Sequence, residues 1–78
     1  MQAEFRTKKR GYHLVLERDL LGDFVLTRRW YGLTNNRHGQ KVQLFLTEAD
    51  ARNQYEKIVR TRLMRGYADI SFFSSKNA

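Results

Sequence analysis

Apolar and polar residues alternate over residues 12–17, with Tyr12, Leu14 and Leu16 on one side and His13, Val15 and Glu17 on the other. That period of two predicts a half-buried strand. The alternation resumes over residues 24–30, where Phe24, Leu26, Arg28 and Trp30 are in phase. Between the two segments, Arg18-Asp19-Leu20-Leu21-Gly22-Asp23 supplies a turn, so together they predict an antiparallel hairpin with Trp30 on the same face as Phe24 and Leu26. Residues 34–39 have turn chemistry throughout, and residues 40–46 read as a further strand.

The pattern then changes to helical spacing. Thr47 is an N-cap, Glu48 and Asp50 place negative charge in the first turn, and Gly66 is a C-terminal stop. Ala51, Tyr55, Ile58 and Val59 recur as one apolar stripe. Arg62 falls on the same stripe; its stem is expected to cover apolar surface while its head snorkels to water, the alternative being an acceptor on the sheet or at the chain end. Residues 67–73 alternate as a last strand, and residues 74–78 read as a frayed tail. The elements predict an α+β fold, a small antiparallel β-sheet packed by one α-helix, in a single domain over residues 1–78 with its core at about 5–73.

Composition narrows the function classes. At 78 residues the chain buries a modest core, with little room for an enclosed catalytic pocket. A hydrophobic fraction of 41% without proline argues for a folded domain over a disordered basic tail. The absence of cysteine excludes disulfides, thiolate metal sites and a cysteine nucleophile. The first residues lack the apolar core of a signal peptide and no run reaches membrane-spanning length, so a soluble, cytoplasmic protein without a membrane partner is expected.

Charge points to the partner. The net charge is +7, and the cations fall in three clusters: Arg6, Lys8, Lys9 and Arg10; Arg28 to Lys41, without a carboxylate before Glu48; and Lys57, Arg60, Arg62 and Arg65. Any one cluster reads equally as a solvated face or as a complement to a helix C-terminus. The three together, with the lone tryptophan inside the second, suit a ligand with flat rings and a charged backbone. The candidate nucleic-acid-binding residues are Trp30, Arg28, Arg29, Tyr31, Arg37, His38 and Lys41, with Tyr67 a further ring for stacking. A lone tryptophan is also often the largest core residue of a small domain, and partial burial serves both roles. DNA is the expected partner and RNA the second nucleic acid the same face would take; the alternative function is docking of an acidic protein through that face. An unpaired edge strand leaves the chain a monomer or a weak homodimer.

Catalytic and metal chemistry find no support. His38 sits in a basic loop without a carboxylate near it in sequence, His13 reads as a surface strand residue, and Ser71, Ser74 and Ser75 lie far along the chain from both. No nucleophile turn or phosphate-cradling glycine loop is present, and two histidines with scattered carboxylates give no metal spacing. No enzyme activity and no cofactor are expected.

The order of a hairpin ending at Trp30, a Gly39-Gln40 turn, a strand ending in Phe45, and a helix carrying Ala51, Tyr55, Arg62 and Gly66-Tyr67 resembles the WGR domain. That family is named for a Trp-Gly-Arg motif and occurs in poly(ADP-ribose) polymerases and in short bacterial proteins. The resemblance covers roughly residues 12–67 and implies an antiparallel sheet packed by one helix. In DNA-dependent members the motif tryptophan packs against a sugar at a DNA end, which the resemblance transfers to Trp30. Tyr31 and Gly32 stand where the motif has Gly and Arg, a departure at two positions or a one-residue shift, so the arginine's link to neighbouring domains does not transfer.

Overall fold

Gln2–Arg6 (β1) forms a strand at the start of the chain, where the sequence reading placed none. Ala3 and Phe5 alternate with Gln2, Glu4 and Arg6, and the two apolar side chains are buried. Two apolar positions, one of them a small alanine, are a weak period-two signal; the pairing with the next strand is what makes the segment a strand. The core therefore begins at Ala3, ahead of the boundary expected near residue 5. The computed structural model describes residues 1–71.

Arg10–Arg18 (β2) and Phe24–Gly32 (β3) make the expected hairpin. Its turn is held by Asp19, whose Oδ1 accepts from the backbone N–H groups of Leu21 and Asp23, both at 2.9 Å, while Gly22 adopts φ 90°. Few side chains tolerate that backbone, which is why glycine closes the turn. His38–Phe45 (β4) follows, then Glu48–Met64 (α1) and the short Ala68–Asp69 (β5). The sheet is antiparallel throughout, in the order β4-β3-β2-β1-β5. The α+β class with one helix on the sheet is thus the observed architecture.

Helix boundaries follow their local chemistry. Thr47 Oγ1 accepts from the Asp50 N–H at 3.2 Å, closing the first turn. At the other end Gly66 takes φ 88°, and the Tyr67 N–H reaches back to the Arg62 carbonyl at 3.1 Å. The buried side of α1 is Ala51, Tyr55 and Ile58, with Val59 packed beside them. These rest on Phe5, on Tyr12, Leu14 and Leu16, and on Leu26. The period-two pattern places these sheet residues on one face, and that face meets the helix.

Two expectations change in detail. Gly39 was expected in a turn, yet β4 begins one residue earlier and Gly39 pairs with Trp30 inside the strand. Its lack of a side chain serves the Trp30 indole, which lies where a Cβ of residue 39 would be. Of the last strand, expected over residues 67–73, the described residues form Ala68–Asp69, and the Ile70 N–H continues the ladder to the Glu4 carbonyl at 2.8 Å. Phe72, Phe73 and the expected frayed tail at residues 74–78 lie outside the described residues.

Candidate nucleic-acid interface

Side chains of adjacent residues in a strand leave on opposite faces, and this divides the run from Arg28 to Tyr31. Arg28 and Trp30 are on the helix side of β3, in phase with buried Leu26. Arg29 and Tyr31 are on the open side. There Arg29 donates to Gln40 Oε1 from Nε and Nη2, at 3.3 and 3.1 Å. The Tyr31 hydroxyl donates to Glu4 Oε1 at 3.0 Å, and its ring lies over Gly11, where any side chain would collide with it. Burial first, and then the hydrogen bond to Glu4, raise the Tyr31 pKa above that of a free tyrosine.

Trp30 is 41% exposed, so it is neither a core residue nor a free ring. Its indole stacks on Tyr12 with ring centroids 6.3 Å apart and planes inclined by 22°. Tyr12 in turn meets the edge of Tyr67 at 6.2 Å. Arg62 completes the group: its guanidinium lies 4.4 Å from the Tyr12 centroid and 5.2 Å from that of Tyr67. The expected snorkelling of Arg62 thus gives way to stacking on two rings, an outcome set by aromatic neighbours from β2 and from the segment after the helix.

Around these rings is a cleft of about 470 Å³. Tyr12, Trp30 and Tyr67 provide its aromatic walls, and Arg10, Arg37 and Arg62 its cations; His38 and Tyr31 also line it. Among the described residues no carboxylate lines it. A second cleft, of about 680 Å³, shares Arg10, Arg62 and Tyr67 with the first and adds Lys8, Lys9 and Arg65. It too has no acidic lining residue.

Antiparallel topology explains the convergence. The start of β2, the end of β3 and the start of β4 occupy one end of the sheet, because Arg10 pairs with Gly32 and Tyr31 with His38. Loops at this end are tied to one another: the Leu33 N–H donates to the Lys9 carbonyl at 2.8 Å, and the Gly32 N–H to that of Arg37 at 2.8 Å. The three basic clusters, separate in sequence, contribute to this one end.

Of the seven residues singled out from the sequence, the first cleft gathers Trp30, Tyr31, Arg37 and His38. Arg28 lies instead between β3 and α1, Arg29 on the open face, and Lys41 on the exposed edge strand opposite Arg28. Tyr12 was outside those seven, as were Lys8, Lys9, Arg10 and Arg65, which the sequence placed only in the flanking basic clusters, and they contribute as much to the two clefts. Their signal was partly legible, since Tyr12 shares its phase with Leu14, but which strand ends meet is a matter of pairing. Among the described residues no group of three or more His, Cys, Asp or Glu could hold a metal ion, and no helix is long and apolar enough to cross a membrane.

Neither the curated proteins nor the solved structures contain a significant match to this chain. The family model for the WGR domain matches residues 2–74, taking in the whole sheet, the helix and the aromatic cleft. That family is known for nucleic-acid binding and its domain is a binding module, not a catalytic one. The match spans nearly the full length of the sequence, and on it the chain belongs to the WGR domain family.

Proposed function

We propose that this protein is a non-catalytic DNA-binding module, in which the two clefts at one end of the sheet receive the strand. The observation that carries the reading is the junction of three aromatic rings with Arg10, Arg37 and Arg62 in a cleft without a carboxylate. Trp30 offers its exposed face to a sugar or base, as the family resemblance suggests. Arg10, Lys8, Lys9 and Arg65 meet phosphates in the adjoining cleft, with Arg37 and His38 on the opposite side. Arg29 and Lys41, outside the clefts, add to long-range attraction and not to positioning.

Trp30 is the only tryptophan and lines the cleft, so its emission reports occupancy. The test is a titration with short single-stranded DNA, blunt duplex DNA and matching RNA at 50 and 200 mM salt. Saturable quenching is expected. Neutralising about four phosphates weakens binding roughly a hundredfold across that range, from a slope of about −0.9 per phosphate. A folded protein whose emission ignores all three ligands at low salt would refute the stacking role and move an acidic protein partner to first place.

A further inference from the structure

Between β3 and α1 lies a third cleft, of about 170 Å³, which the nucleic-acid reading does not use. Arg28 enters it from the sheet and Arg62 from the helix; Lys57 stands at its rim, and Gln54 and Thr61 supply polar groups. The Arg28 side chain donates from Nη2 to Gln43 Oε1 at 2.6 Å. Its Nε is buried and has no hydrogen-bond partner among the described residues, and the same holds for Nε of Arg62.

Two buried guanidinium N–H groups without acceptors are an anomaly in a folded protein. Arginine cannot relieve the cost by losing its proton. Stacking on Tyr12 and Tyr67 satisfies the face of the Arg62 guanidinium, but its N–H groups lie in the guanidinium plane and still need oxygen. Among the described residues no carboxylate lines the cleft to supply it. Three cations around so small a volume repel one another, and an oxyanion with several acceptor oxygens offsets that repulsion through the outer guanidinium N–H groups and Lys57.

We propose that this cleft is a phosphate-class oxyanion site, held by the guanidinium groups of Arg28 and Arg62 and by Lys57 as a point charge. The site goes beyond nucleic-acid binding and does not depend on it. Its occupant is a tetrahedral oxyanion, either free or as a phosphodiester of a bound strand, since Tyr12 and Arg62 belong to both this cleft and the aromatic one.

The test follows thermal stability without nucleic acid, in sodium phosphate against sodium chloride of equal ionic strength. A site of this kind raises Tm along a saturating curve at millimolar phosphate. General exclusion of phosphate from the protein surface gives a shallow, unsaturated rise instead. Lys57→Gln, at an exposed position that leaves the core intact, is expected to move the midpoint about tenfold higher, the loss of one charge-assisted hydrogen bond. Arg28→Gln does the same or more, while Arg18→Gln, exposed at the opposite end of β2, leaves the midpoint unchanged.

Equal Tm values in phosphate and chloride overturn the proposal, as does an Arg18→Gln effect as large as that of Lys57→Gln. A final arm identifies the source of the anion. If saturating phosphate weakens oligonucleotide binding in the native protein and not in Lys57→Gln, the occupant is a phosphodiester of the strand; if it leaves binding unchanged while the Tm response persists, the occupant is the free ion. A phosphate response without any oligonucleotide binding keeps this site and rejects the DNA reading, whereas the reverse result rejects this site alone.

Discussion

Replacing Gly39 by alanine tests how Trp30 is held. Gly39 is not among the residues of positive φ, so alanine fits the backbone, and the substitution changes only what occupies the space above it. That space is filled by the indole: a Cβ would overlap Cε2, Nε1 and Cζ2 of Trp30, and the ring must leave. Leaving Tyr12 forfeits an offset-stacked pair worth about 0.5–1.5 kcal/mol. Because Trp30 is already 41% exposed, only its covered part is lost to water; about 150 Å² at about 25 cal/mol per Å² adds up to roughly 3.5 kcal/mol. Alanine returns about 0.5–1 kcal/mol, since glycine gives up more chain entropy on folding. The net loss is roughly 1–4 kcal/mol, and Tm falls by at least about 5 °C. Thermal melts by circular dichroism, with tryptophan emission alongside, check both halves: stability drops and the emission maximum moves to the red. The decisive variant is Gly39→Ala in a Trp30→Ala background. With no ring to displace, only the entropic gain remains, and the same substitution becomes neutral or stabilising. A native Tm and unshifted emission for Gly39→Ala, or an equal loss in both backgrounds, would refute the packing argument.

Other outcomes follow from the same contacts. Arg62→Leu exchanges two cation–π contacts for the removal of a buried unpaired N–H; with terms of about 1 kcal/mol on each side, Tm should stay within about 5 °C. If Arg62 meets a phosphate, the same variant lowers the salt slope of DNA binding by about 0.9, and an unchanged slope would remove it from the interface. Thr47→Ala costs about 1 kcal/mol through the lost cap to Asp50 and lowers Tm by roughly 4–8 °C, read from a melt; no shift would mean the helix start is held by packing alone. Tyr55, like Tyr31, has a raised pKa, here from burial and then from the Asp69 charge. Stability from these neutral phenols is complete below about pH 10 and is lost as pH rises through their folded-state values. A series of melts above pH 9 should show that loss, smaller in Tyr55→Phe, and equal pH curves for the two proteins would exclude Tyr55 from it.

The residues of this chain determine its local elements by themselves. Period two over residues 12–17 and 24–30, a period near 3.6 from Ala51 onward, the Thr47 cap and the Gly66 stop are all short-range physics, and the hairpin and helix appear where these signals are. Even the division of Arg28 and Trp30 from Arg29 and Tyr31 is implicit in strand parity, though the run of charge in the sequence suggests a single cluster. What alternation could not carry is β1, whose two apolar residues become a strand only when β2 and β5 pair on either side. Gly39 is a second case: it has the composition of a turn, and it lies in a strand because the indole across from it needs the space. The clefts belong wholly to tertiary structure. Arg10, Trp30, Arg62 and Tyr67 come from four separate stretches, and register, together with the docking of α1, brings them to one end of the sheet. Sequence spacing encodes which face a side chain takes; only pairing between distant segments decides which side chains share that face.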